Sequence, residues 1–144
     1  MSDVDVSSTV TRVLEEHGSM IAERGTTVVL SEDLGTVKAN PTHIYQVFSN
    51  LIDNGIKYNV SNSPMVEIKY LGKTSAGHVY VVKDNGPGIC REEQENIFMP
   101  FYKGESGSTG IGLAIVERIV NLYDGSIRVY TNGGTCFEFS LNDR

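Results

Sequence analysis

The chain has 144 residues, 40% of them apolar and 21% charged, with a formal net charge of -6. That length supports one domain with a real core, and the acidic balance removes the electrostatic case for nucleic acid. No apolar run reaches the roughly 20 residues of a membrane helix, the start "MSDVDVSSTV" is no signal peptide, and Cys90 and Cys136 have no metal-like spacing, so reduced thiols in a cytoplasmic protein without membrane contact are expected.

In chain order, residues 7–23 are expected to be a helix with Val10, Val13, Leu14, His17 and Ile21 on one face. "TTVVLSEDL" reads as a short strand and a polar turn. "ANPTHIYQ" opens a second helix, with Asn40 as cap and Pro41 in the first turn, running to about Tyr58. "MVEIKYL" alternates as a strand, "GKTSAG" turns, and "HVYVVKD" is a more buried strand. Residues 85–109 are Gly/Pro-punctuated and irregular. Gly110 to Tyr123 is strongly helical, and "DGSIRVYT", "NGG" and "TCFEFSL" form a terminal hairpin. Helices and strands are mixed without regular βαβ alternation. A two-layer α/β sandwich is therefore expected, with three helices on one face of a mixed, mostly antiparallel sheet.

The second helix carries an unusual feature. Ile44, Val47, Phe48, Leu51 and Ile52 make its apolar stripe. Asn50, Asn54 and Lys57 make a second stripe roughly 120° away. Asparagine is a mediocre helix former, but it offers uncharged carbonyl oxygens, which suit Mg²⁺ held together with substrate phosphates. On this helix alone, a solvated polar face explains the stripe equally well. Two downstream segments weigh against that. "DNGPGI", Asp84 to Ile89, leaves a buried strand, and its Gly86 and Gly88 admit close backbone approach. "STGIGLAIV" sets Gly110 and Gly112 at a helix entry, where free N–H groups favour phosphate.

The set "HIYQVFSNLIDNGIKYN", "DNGPGI", "IFMPFYKG", "GSTGIGL" and "GGTCFEF" resembles the ATP-binding domain shared by histidine kinases, type II topoisomerases, the heat-shock chaperone and mismatch-repair ATPases (the Bergerat fold). Within that superfamily it resembles the catalytic domain of a sensor histidine kinase, over nearly the whole chain. The resemblance implies that Asn54 binds Mg²⁺ with Asn50 beside it, that Lys57 meets a phosphate, and that Tyr58 lies along the adenine or ribose. It implies that Asp84 accepts from the adenine amino group, that Gly86 and Gly88 admit the ring with Ile89 also at the nucleotide, and that Thr135 closes the pocket. Gly110, Ile111, Gly112 and Leu113 would present backbone N–H groups to the phosphates, with Thr109 also among the nucleotide-binding residues. Residues 90–109 would be a mobile ATP lid anchored by Phe98 and Phe101. Lys103 would meet the γ-phosphate where many relatives carry arginine, without that residue's bidentate fork.

Relatives that activate water or a hydroxyl carry glutamate where this chain has Asn50. An amide takes no proton near neutral pH, so hydrolysis and serine phosphorylation are disfavoured, while a histidine nitrogen attacks with its own lone pair. His17, His43 and His78 lack the context of a phosphoacceptor. The implied function is transfer from Mg-ATP to a histidine on a separate dimerising hairpin, and through it to a response regulator. The isolated chain is expected to be a monomer and its parent a homodimer, whose membrane anchoring the sequence leaves open, and the chain is expected to be an excised piece beginning at the linker after the hairpin. A degenerate ATP-binding regulatory module and an anti-sigma-type serine kinase are the alternatives.

Overall fold

The computed structural model describes residues 1–99 and 110–144. Strand β1 (Ser2–Asp5) leads into helix α1 (Val6–Glu16), α2 (Gly18–Arg24), β2 (Thr27–Leu30) and β3 (Thr36–Ala39). Helix α3 (Pro41–Lys57), β4 (Met65–Thr74), β5 (Gly77–Asp84) and the short α4 (Arg91–Gln94) follow. Helix α5 (Gly110–Leu122), β6 (Ile127–Thr131) and β7 (Thr135–Leu141) complete the chain. The main sheet has the order β2-β4-β5-β7-β6, with β2 parallel to β4 and the other pairs antiparallel. Helices α1, α3 and α5 pack side by side, with α3 against β4 and β5 and α5 against β7. The mostly antiparallel sheet backed by helices is the expected architecture.

Three expectations about elements need correction. The helix expected over residues 7–23 is two helices. Helix α1 starts one residue early, because the Asp5 side chain caps it by accepting from the Ser7 amide at 3.1 Å. It ends at His17, and α2 closes on Gly25 in the left-handed region at φ 65°. Second, β1 and β3 form a separate two-stranded antiparallel sheet that the pattern did not reveal. Third, the stretch read as irregular contains α4.

The core gathers where α3 meets the sheet. Phe48 sits edge-on to Tyr80 and Phe139, at 5.4 and 5.5 Å between ring centroids, and Tyr80 stacks on Phe139 at 5.6 Å. All three rings are essentially inaccessible, so each contributes its full apolar burial plus the favoured edge geometry. The Tyr80 hydroxyl is satisfied by donating to the Leu34 carbonyl at 2.6 Å. Tyr123, at the end of α5, accepts from the Asn40 amide at 2.9 Å and lies 2.9 Å from His43 Nδ1. That tie fixes the start of α3 against the end of α5, and so sets the two helices that flank the candidate site.

The last residues are also fastened. Asp143 accepts from the Lys38 amide at 2.9 Å, from Lys73 at 3.0 Å and contacts His78 Nε2 at 3.0 Å, while the Arg144 amide donates to the Lys38 carbonyl at 2.8 Å. The backbone bond from Lys38 holds the Asp143 carboxyl well below the usual range, at about 2, with Lys73 and His78 adding to the effect.

Candidate functional site

The site grows from the end of β5. Asp84 leaves the sheet half-buried, and the chain turns immediately, so that the Gly86 amide donates to Asp84 Oδ1 at 2.8 Å. The Thr135 amide, from the start of β7, donates to the same oxygen at 3.2 Å. Among the described residues both bonds therefore fall on Oδ1, which leaves Oδ2 its lone pairs for a ligand. Burial pushes the carboxyl above its ordinary range, and the two amides pull it back in part.

Helix α3 comes close to this strand because residue 55 is glycine. A Cβ there would meet Val66 Cγ2 at 3.2 Å and Asp84 Cβ at 3.7 Å. The close approach brings Asn54 and Tyr58 to the carboxylate. Asn54, Tyr58, Asp84, Pro87, Gly88, Ile89, Leu113, Thr135 and Phe137 line one recess. Its floor is Gly88–Ile89, and Leu113 reaches it from the first turns of α5. Seven residues expected at a ligand are thus brought together: Asn54, Tyr58, Asp84, Gly88, Ile89, Leu113 and Thr135.

Other expected residues take different positions. Gly86 lies behind the carboxylate; a Cβ there would stand 3.0 Å from Asp84 Oδ1. Asn50 lies one turn up α3, against α5, where a Cβ on Gly112 would come within 2.9 Å of its Oδ1. Glycine at 112 is what admits the Asn50 amide beside the helix entry. Lys57 is not among the lining residues; its side chain is 49% exposed and its ammonium lies 3.6 Å from Asp53 on the same helix. Asp53 in turn lies 3.2 Å from His17 Nε2, so the half-buried His17 belongs to a contact between α1 and α3. Gly110 and Ile111 open α5. Phe101, Lys103 and Thr109 lie outside the described residues.

Two lining residues escaped the sequence reading, Pro87 and Phe137. Phe137 is an inward-facing position of β7, and its alternation in "TCFEFSL" marks it as core rather than as lining. It meets Phe98 edge-on at 6.2 Å. Phe98, expected to anchor the segment after α4, is buried against it.

Asn85 holds the surrounding loops. Its Oδ1 accepts from Asn59 Nδ2 and from the Met65 amide, both at 2.8 Å, and its Nδ2 donates to the Ser63 carbonyl at 2.8 Å. One amide side chain therefore ties the end of α3 to the loop before β4 and to the turn beyond β5.

Comparison with known proteins agrees with this arrangement. Residues 39–144 match the family described as histidine kinase-, DNA gyrase B- and HSP90-like ATPase. The chain is 36% identical over 151 residues to cyanobacterial phytochrome B of Nostoc, covering 99% of this chain and 20% of that protein. It is 31% identical over 150 residues to the sensor-like histidine kinase SenX3 of Mycobacterium tuberculosis, covering 98% of this chain and 36% of that one. The chain thus spans a minor part of these relatives. Among solved structures, the catalytic domain of the histidine kinase ThkA superposes with a TM-score of 0.84 at 25% identity, covering 99% of this chain and 95% of that chain. This chain belongs to the family of histidine kinase-, DNA gyrase B- and HSP90-like ATPases, and within it the likeness is to the ATP-binding catalytic domains of sensor histidine kinases.

Proposed function

We propose that the 144-residue chain is one catalytic domain that binds Mg-ATP in the Asp84 recess and donates the γ-phosphoryl group to a histidine on a separate dimerisation and phosphoacceptor domain. A response regulator would take the group from that histidine. The observation that carries the reading is the Asp84 carboxylate, which keeps one oxygen for a ligand at the back of a recess that also holds Asn54, Tyr58 and Leu113. A lone acceptor there suits adenine, whose amino group donates, and mismatches guanine, whose corresponding oxygen accepts.

The metal fits the residues present. Among the described residues, the side-chain amides of Asn50 and Asn54 have no hydrogen-bond partner, and both are hard carbonyl donors on the face of α3 toward α5 and the recess. When bound, Mg²⁺ supplies charge neutralisation for the phosphates. The backbone entry of α5 at Gly110–Leu113 offers N–H groups to the same phosphates. In the transfer, a histidine nitrogen lone pair forms the new bond to the γ-phosphorus, the bond to the bridging oxygen breaks, and ADP leaves. Asn50, an amide, takes no proton from water or a hydroxyl, which favours a histidine acceptor over a serine. Lys103 is the proposed γ-phosphate cation. Among the described residues no helix is long and apolar enough to cross a membrane, and a cytoplasmic location fits the use of ATP.

The test is transfer of label from γ-labelled ATP to the parent protein's acceptor hairpin. Mg²⁺-dependent, acid-labile labelling that Asn54→Ala abolishes supports the reading. Nucleotide binding without transfer would favour a regulatory binding module. Acid-stable labelling of the chain itself would favour a hydroxyl kinase.

A further inference from the structure

The recess floor is held from outside by a residue with no part in the motifs above. Thr131 ends β6, the edge strand of the sheet. Its hydroxyl donates to the Ile89 carbonyl at 3.0 Å and accepts from the Ile89 amide at 3.3 Å. One side chain thus satisfies both backbone groups of a floor residue, as a neighbouring strand would. The same Ile89 carbonyl also accepts from Gln94 Nε2 of α4 at 2.9 Å. The methyl group of Thr131 fills the space beside Gly88: a Cβ at 88 would stand 2.7 Å from Thr131 Cγ2, and Gly88 itself is at φ 78°.

Gly88 and Ile89 therefore have their position set by the terminal hairpin and by α4 together, while both residues also line the recess with Asp84 and Tyr58. Pro87, one residue earlier, lacks an amide hydrogen and adds no such tie. The turn between Gly86 and Ile89 is otherwise fastened at its start, by the Gly86 amide on Asp84. Its far end depends on Thr131 and Gln94.

We infer that Thr131 is a positioning residue for the base-binding end of the site: its hydroxyl sets how closely the Gly88–Ile89 backbone approaches the ligand, without touching the ligand itself. This rests on the reading of the recess as an adenine site. Loss of the hydroxyl removes both Thr131 bonds and leaves Ile89 held by Gln94 alone, which lets its amide side move, loosens contact with the base and leaves the phosphate end, built by α3 and α5, unchanged. Adenosine and ADP should therefore lose the same factor in affinity.

The experiment compares the wild-type chain with Thr131→Val, which keeps the shape and removes the hydroxyl, and Thr131→Ser, which keeps the hydroxyl. Amide exchange at Ile89 in the nucleotide-free chain reports the clamp directly. It should quicken about tenfold in Thr131→Val and stay within about twofold in Thr131→Ser, on the scale of one or two neutral hydrogen bonds. Calorimetry with ADP and adenosine should show an equal loss of about three- to tenfold for both ligands in Thr131→Val, with wild-type affinity in Thr131→Ser. An Ile89 amide that exchanges equally in wild type and Thr131→Val overturns the clamp. Quickened exchange with unchanged affinity, a loss for ADP alone, or Thr131→Ser as weak as Thr131→Val overturns the positioning role. A wild-type chain that binds neither ligand refutes the adenine reading and the positioning role with it, while the exchange result still decides the clamp.

Discussion

The Thr135 amide donates to Asp84 Oδ1 across 3.2 Å, so the first residue of the last strand fixes the carboxylate that ends the central one. Strands β5 and β7 are neighbours in the sheet, and the site uses their adjacency. Folding the terminal hairpin correctly is a condition for orienting Asp84.

Replacing Asp84 by asparagine keeps an oxygen for the two backbone amides and turns an amide donor toward the ligand. Donor then faces donor at the adenine amino group. The expected loss in ATP binding is about 1–3 kcal/mol, roughly 5- to 150-fold, measured by calorimetry. Binding should also weaken with acid. The free carboxyl titrates above its ordinary range because it is buried, and the ionised form is the acceptor. Affinity is therefore full above that raised pKa and falls as pH drops through it, at a higher pH than an exposed aspartate would give. A flat affinity from neutrality down to the ordinary aspartate range would refute the assignment.

Gly112→Ala should act through Asn50. The new Cβ would come within 2.9 Å of Asn50 Oδ1, and the flexible end of that amide must turn away. Alanine suits a helix better than glycine does, so thermal stability should hold or rise slightly while Mg-ATP affinity drops. In a double-mutant cycle with Asn50→Ala the two losses should not add, since both remove the same placement. Additive losses would show that Gly112 acts elsewhere.

Gly134→Ala should damage the fold itself. Gly134 has φ 146°, and a Cβ there would stand 1.8 Å from the Asp84 carbonyl oxygen. Backbone cannot yield as a side-chain tip can. The expected destabilisation is at least about 3 kcal/mol by urea unfolding, in the range of severe single substitutions. A midpoint shift equivalent to less than about 1 kcal/mol would contradict the packing described.

Asp143 gives a second pH effect, of opposite sign to that of a raised group. Its folded pKa is about 2 against an ordinary 3.8. It stabilises the fold above the ordinary value, and the contribution is lost as pH falls toward the depressed one. Its side chain is 35% exposed, so screening reduces the contribution to roughly 1 kcal/mol. Asp143→Asn should therefore lower stability at pH 7 and converge with wild type near pH 2, as measured by urea unfolding at each pH.

The sequence was most legible where period and length agreed. Helix α3, with its cap at Asn40 and two stripes, and the strands β4, β5 and β7 are long enough for the pattern to speak. Strands β1 and β3 have four residues each, too few for alternation to stand out from a polar loop. The break at His17 has no proline to mark it, and α4 is a single turn. The site was legible as a set of motifs, and the recess gathers seven of their residues. Pro87 and Phe137 were not legible as lining, because the first looks like turn chemistry and the second like core. Thr131 carries no motif at all; only the fold brings it to Ile89.

The fastening of the final residues has a topological consequence. Asp3 of β1 is the register partner of Lys38 on one edge of β3. The Lys38 amide and carbonyl are both taken by Asp143 and Arg144, and so point away from β1. The two chain ends therefore flank a single strand, about 10 Å apart at the usual spacing between neighbouring strands. A flexible linker of about four residues covers that gap. The chain can thus be joined end to end and reopened at the exposed turn between Thr74 and Gly77, at the end of β5 opposite Asp84, giving a permuted domain in which the residues that line the recess keep their neighbours.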